Sequence, residues 1–295
     1  MLSHYFAFRI LKTVSFEAVF LFLRFRESCH IIPDNISEIR LKVHHMKKIL
    51  AYPLTIIYYL CFGLALVIFH PIQWICLTVF GYQAHKNSVV ILNFFLMRCL
   101  NLLGTSFRFD NPHTIALDQP CIIVANHQGT YDIPSIIWHM RHLHPKFISK
   151  KELGKGIPSI SYNLRHGGSV LIDRKDKAQA INAIKGLTNY LNTNHRSVVI
   201  FPEGTRSKDG IPMRFATAGL KTLFEAMPTA LIIPITIQNS WKLNRWGGFP
   251  MDLGVQIQHT VHPTIRVDSN DHETLIRNIE SIILHDFPEI RERRK

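Results

Sequence analysis

Residues 121–132 read Cys121-Ile122-Ile123-Val124-Ala125-Asn126-His127-Gln128-Gly129-Thr130-Tyr131-Asp132, five apolar residues running without a break into a polar, glycine-containing loop. A short uninterrupted apolar run predicts a strand buried on both faces. Pro134 then stands where a helix would begin its first turn. Strand, loop and helix in that order make an α/β unit, and open α/β sheets place their sites at the carboxyl ends of the strands. Outward from this stretch, further strands are expected at Lys146 to Ser149, Ser169 to Ile172, Ser197 to Phe201, Leu231 to Ile237 and Val255 to Val261. Between them lie helical patterns: Ala180, Ile184, Leu187 and Leu191 recur at i, i+4, i+7 and i+11, and Ile276, Ile279, Ile283 and Phe287 repeat the spacing near the end. Asn270, three residues before Glu273, resembles a capping box for that last helix. The expectation is one α/β domain with a central mixed sheet flanked by helices, over residues 87–295.

Upstream the composition changes. From Ile49 to His85, 37 consecutive residues contain no Asp, Glu, Lys or Arg. A membrane span needs about 20 apolar residues; Ile49 to Phe69 is long enough, Pro71 to Gly81 is not, and His70-Pro71 should interrupt the helix between them. This shape suits a helical hairpin dipping into one leaflet, over residues 46–86, with a single true span or a buried helix pair as the alternatives. Lys47 and Lys48 on one side and Lys86 on the other place both ends, and the α/β domain that follows, on the cytoplasmic face. Residues 1–45 mix Phe, Leu and Arg and are read as an extension of little functional weight.

The formal charge of +13 points to an anionic partner, either nucleic acid or a membrane surface. Zinc fingers, RNA-recognition aromatic motifs and isolated Arg-rich tracts do not occur in the sequence, so no nucleic acid is expected and membrane lipids are. The five cysteines are scattered and form no CxxC pair, which gives neither a disulfide framework nor a zinc site.

His127 and Asp132 carry the first candidate chemistry. An imidazole at the carboxyl end of a strand can take a proton from a hydroxyl, and a carboxylate five residues on can reach back to its other ring nitrogen and fix the tautomer. The plainer reading makes Asp132 an N-cap and His127 one of 17 histidines. A metal site at this pair lacks further ligands at suitable spacing. A second buried strand runs into Phe201-Pro202-Glu203-Gly204-Thr205-Arg206-Ser207. There Gly204 would let the backbone approach a ligand and expose its amides, and the Arg206 fork suits a phosphate. Its plainer reading is a surface turn with Glu203 paired to Arg206.

Together, Asn-His-x4-Asp and Phe-Pro-Glu-Gly-Thr-Arg-Ser resemble the glycerolipid acyltransferase family, and within it the 1-acylglycerol-3-phosphate acyltransferases. Two further blocks agree: Lys151-Glu152-Leu153 with Pro158, leading through Gly167-Gly168 to Ile172-Asp173-Arg174, and Ile232-Ile233-Pro234-Ile235. The resemblance covers about residues 87 to 240 and leaves the first 45 unmatched. It implies that His127 is the general base, Asp132 its orienting partner, and Glu203, Gly204, Thr205 and Arg206 the binding loop for the acceptor phosphate. Lys150, Lys151 and Arg174 are candidate secondary basic contacts, or solvated surface. It further implies transfer from an acyl thioester, on coenzyme A or on acyl carrier protein, to the sn-2 hydroxyl of a lysophospholipid, with no cofactor and no metal. Another lysolipid acceptor within the same family is the alternative. A covalent route is not indicated, since no G-x-S-x-G elbow is present and Cys121 begins a buried strand.

Overall fold

The computed structural model describes residues 34–116, 118–173, 175–267 and 271–287, with side chains from Lys42 onward. Two compact units are defined by internal contacts, residues 1–49 and 50–295. Helix α1, Asp34–Val79, begins in the first unit and α2, Tyr82–Leu100, follows it. The chain then alternates: β1 Ser106–Asp110, β2 Cys121–Ala125, α3 Asp132–His139, β3 Lys146–Lys150, α4 Ile160–His166, β4 Val170–Ile172, α5 Lys177–Asn194, β5 Ser197–Ile200, α6 Thr217–Ala226, β6 Leu231–Gln238, β7 Gln256–Val261, β8 Ile265–Arg266 and α7 His272–Leu284.

One mixed sheet results, in the order β1-β7-β6-β2-β5-β3-β4, with β8 added beside β6. The strands from β6 through β2, β5 and β3 to β4 are parallel, and β7 runs antiparallel to β6. All five carboxyl ends of the parallel block therefore open on one edge. The predicted strands occupy their expected positions to within one residue. Two short strands were not expected: β1, a half-exposed SFRFD segment whose alternation is too brief to read and which pairs with β7, and the two-residue β8, which pairs with β6.

Both sheet faces are covered, which is why the central strands are continuous apolar runs rather than alternating ones. Ile122, Val124, Val198 and Ile232 point toward α5, α6 and α7, whose Leu187, Leu223 and Ile279 complete that layer. Cys121, Ile123, Val199 and Ile233 point the other way, toward Ile136 and Ile137 of α3 and Val90 of α2. At roughly 25 cal/mol per Å² of apolar surface removed from water, these two layers supply most of the stabilisation that holds β2 rigid.

Two corrections concern helix ends. The helix does not break at His70-Pro71: α1 runs through both Pro53 and Pro71, and the chain turns at Phe80-Gly81, where Gly81 has φ 81°. A proline removes one helical bond, and other groups can brace the turn it disturbs. Here the Ser159 hydroxyl donates to Leu66 O (2.6 Å) and the Ser159 N–H to His70 Nδ1 (3.0 Å). A positive φ is the stronger stop, because glycine adopts it at no steric cost. At the other end of the chain, α7 is capped by Asp271, which accepts from the N–H of Glu273 (3.1 Å) and Thr274 (2.9 Å); Asn270 lies outside the described residues.

Residues Lys42–Val79 and Tyr82–Leu103 are each long and apolar enough to cross a membrane. Within the second unit, Tyr58, Leu66, Leu92 and Leu96 turn inward, while Leu60, Leu64, Val67, Trp74, Val79 and Phe80 stay exposed. That outward apolar row has no equivalent elsewhere on the described surface and fits a membrane-associated hairpin.

Candidate active site

Where β2 ends, Asn126 prolongs the sheet with its side chain. Its Nδ2 donates to Ile237 O (2.8 Å) and its Oδ1 accepts from Ile237 N–H (2.7 Å), a pairing that β6 would normally make with backbone. The loop is thus pinned before His127 leaves the sheet. His127 Nδ1 lies 2.9 Å from Asp132 Oδ2. The same oxygen accepts the N–H groups of Gln128 and Gly129, both at 2.9 Å, and the other carboxylate oxygen accepts the Ser240 hydroxyl.

Asp132 is fully buried at the first turn of α3. Burial pushes its carboxyl up, but the His127 ring, the Ser240 hydroxyl and the Gly129 amide together hold it below the usual carboxylate range. An ionised carboxylate accepts, so Nδ1 carries the proton and Nε2 is left with its lone pair free. The ring stacks on Phe201, 4.1 Å between centroids and 17° apart, and its side chain keeps 14% of its accessibility. The imidazole therefore has one orientation and one tautomer.

Phe201 opens the second loop, at the carboxyl end of β5, the neighbour of β2. Four hydrogen bonds join the two loops: Glu203 Oε1 accepts from His127 N–H (2.6 Å), Ser207 N–H donates to His127 O (2.9 Å), Gln128 Nε2 donates to Gly210 O (2.7 Å), and Arg206 donates to the Thr130 hydroxyl (2.5 Å). Glu203 faces inward. Its second oxygen accepts from Met213 N–H (2.6 Å), so both oxygens are held by backbone amides rather than by Arg206. Burial drives this carboxyl up to about 7 against the lowering pull of those amides, and the charge on Asp132 adds to the rise. The Gly204 N–H closes a turn onto Phe201 O (3.0 Å) at φ 69°, so glycine is needed there for its backbone angle and not to expose its amide. Thr205 and Arg206 are the exposed tip.

Lys150 ends β3 on the same sheet edge and Lys151 opens the 3-10 turn that follows; both are exposed, and Lys151 pairs with Asp173 at 3.7 Å. Arg174 lies outside the described residues. Sequence reasoning missed Ser240, Asn126 and Phe201 as parts of the site. Ser240 is 108 positions from Asp132, in a short 3-10 turn after β6, and no local pattern marks it. Gly129 is tied to the same contact, since a Cβ there would sit 2.9 Å from Ser240 Oγ and 3.2 Å from its carbonyl.

A family model described as acyltransferase matches residues 106–238. A 1-acyl-sn-glycerol-3-phosphate acyltransferase of Haemophilus influenzae is 27% identical over 174 residues, which are 57% of this chain and 71% of that protein. The enzyme of the same name from Helicobacter pylori is 38% identical over 133 residues, 42% of this chain and 54% of that one. Among solved structures, the 1-acyl-sn-glycerophosphate (LPA) acyltransferase of Thermotoga maritima aligns with a TM-score of 0.68 at 22% identity, covering 83% of this chain and 98% of that one, a likeness of fold. Strands β1 to β6 and the loops after β2 and β5 lie within residues 106–238, the stretch that matches the acyltransferase family model.

Proposed function

We propose that the chain acylates the sn-2 hydroxyl of 1-acyl-sn-glycerol 3-phosphate, forming phosphatidic acid. The observation that carries the reading is the buried Asp132–His127 pair at the end of β2, bridged to the loop that exposes Arg206. In this mechanism His127 Nε2 takes the proton of the acceptor hydroxyl as its oxygen attacks the thioester carbonyl. The new C–O bond forms, the C–S bond breaks, and the proton passes from the imidazolium to the departing thiolate. Asp132 stays ionised and stabilises the imidazolium while it exists. Because the thioester is already activated, the reaction calls for no cofactor.

Arg206 and Thr205, at the exposed tip, are placed to meet the acceptor phosphate, the Arg206 guanidinium as a charge-assisted fork. Glu203 is read as the tie that sets the loop under His127, since a buried carboxyl whose oxygens are held by two amides is a poor phosphate ligand. Lys150, exposed at the end of β3, adds positive potential along the same edge. Both substrate and product partition into lipid, so the apolar row on α1 and α2 would hold the site at the membrane, on the cytoplasmic face given the flanking lysines.

The test is acyl transfer by detergent-solubilised protein from labelled thioester to 1-acylglycerol 3-phosphate. Wild type should form phosphatidic acid. His127→Ala should lose turnover by about 10²–10⁴-fold, the range for a general base. Arg206→Ala should raise the acceptor KM more than it lowers kcat. Full activity in His127→Ala would overturn the mechanism, and activity only on another lysolipid would replace the substrate.

A further inference from the structure

At the amino ends of the parallel strands, on the sheet edge opposite the catalytic loops, a second group of basic side chains converges. Lys146 opens β3, Arg196 immediately precedes β5, His144 lies in the turn before β3, and Lys86 stands near the start of α2. Strands β2, β5 and β3 run parallel, and the 5-residue β3 is roughly 16 Å long, so the cluster lies about a strand's length from the edge that carries His127. We propose that it is a binding site for a phosphate group, the chemistry shared by inorganic phosphate and by the headgroups of anionic lipids. The proposal does not rest on the acyl-transfer reading of the His127 site.

Uncompensated charge is the first support. Lys146 is only 6% exposed, and its ammonium donates to the Tyr82 hydroxyl and to Gly167 O (2.5 Å), both neutral. The Arg196 guanidinium rests on aromatic faces, 4.4 Å from the Tyr82 ring centroid and 4.6 Å from that of Tyr190. Among the described residues, no carboxylate pairs with Lys86, Lys146 or Arg196. Burial depresses the Lys146 ammonium, and the Arg196 and Lys86 charges add to the fall against the pull of Tyr82. Burial and the same three cations push the His144 ring down to about 4. Like charges gathered away from water destabilise one another, and a bound anion turns that repulsion into attraction.

Donors without acceptors are the second support. Lys86, His144, Lys146 and Ser169 line one cleft of about 30 Å³. Since about 10–15 Å³ holds one water, this space suits the oxygens of a single small oxyanion and not an extended molecule. His144 Nδ1 is buried there with no hydrogen-bond partner. Lys146 has two of its three ammonium hydrogens engaged, and the Ser169 hydroxyl, which accepts from Phe147 N–H (3.1 Å), keeps its own hydrogen to give. Val89, Val90 and Phe147 complete the wall, and an apolar surround strengthens each charge-assisted bond. Because Lys86 and Val90 belong to α2, one side of the cleft is the apolar hairpin itself, which puts a lipid headgroup within reach as well as a free ion.

The experiment titrates inorganic phosphate into the full detergent-solubilised chain by calorimetry, in an Arg206→Ala parent so that the loop after β5 contributes nothing. Lys86→Gln and Arg196→Gln, both half-buried positions, are added to that parent singly and together. Each should weaken phosphate binding roughly tenfold, about 1.4 kcal/mol, and the pair should abolish it. In phosphate-free buffer each variant should melt at or above the parent's temperature, because repulsion is relieved, and added phosphate should raise the parent's melting temperature most. No phosphate binding by the parent, or equal binding by parent and variants, would overturn the proposal. Variants that melt well below the parent without phosphate would overturn it too, since the cations would then be supports of the fold. Titration in lipid discs separates the sources. Equal affinity in phosphatidylcholine and phosphatidylglycerol discs supports the site with the free ion as its occupant. Phosphate binding suppressed in phosphatidylglycerol discs, with those discs raising the melting temperature of the parent and not of the double variant, supports the site with the headgroup as occupant.

Discussion

The loops after β2 and β5 sit side by side and are built on opposite plans. In the first, Asp132 is fully buried, four groups converge on its two oxygens, and the His127 ring is held from one edge and one face. In the second, only the base is buried, where Glu203 is gripped by two amides, and the tip bearing Thr205 and Arg206 stands in solvent. A proton acceptor must keep one tautomer and one direction, which burial and redundant hydrogen bonds provide. A phosphate contact needs an accessible donor and tolerates motion. Rigidity is concentrated on the His127–Asp132 pair, as the proposed proton transfer requires.

The sharpest way to break this contrast is Asp132→Asn. The amide can no longer accept from Nδ1–H without reorienting, and it places an NH₂ against one of the donors that Asp132 now accepts. Turnover should fall by about 10⁴-fold with the acceptor KM little changed, the behaviour of a wrong tautomer. Near-wild-type kcat would mean that the first loop is no more demanding than the second.

Glu203 sharpens the comparison through pH. Its folded pKa, about 7, lies above the unfolded value, so its contribution to stability is full below about pH 4.5 and is lost as pH rises through about 7. In Glu203→Gln that dependence disappears. The stability difference between wild type and variant, from denaturant titrations across pH, should therefore shift by roughly 3 kcal/mol against wild type between pH 4.5 and 7.5. A constant difference would show that Glu203 ionises as easily in the folded protein as in the unfolded chain.

The smallest effect is expected of Ser240→Ala, which removes one of four donors to Asp132 and leaves the other three. A kcat lowered roughly tenfold, about 1.4 kcal/mol, with unchanged acceptor KM would mark Ser240 as a positioning residue. Restoration by Ser240→Thr would confirm the hydroxyl as the active part.

The strands, the helix faces and the His127–Asp132 pair were legible because their signals are local. Apolar runs, 3.6-residue periodicity and a five-residue spacing need nothing from the rest of the chain. The hairpin's turn was misplaced because proline was taken as the stop, whereas a braced helix tolerates it and Gly81 does not continue it. Glu203 was grouped with the phosphate loop because one dimension cannot show which way a side chain faces. Composition and spacing thus determined the strands, the apolar helices and the pairing of His127 with Asp132. Only tertiary structure decided that Ser240 holds Asp132 and that Glu203 ties the loops together. Those contacts join residues as far as 108 positions apart, and side-chain hydrogen bonds between distant segments leave no periodicity behind.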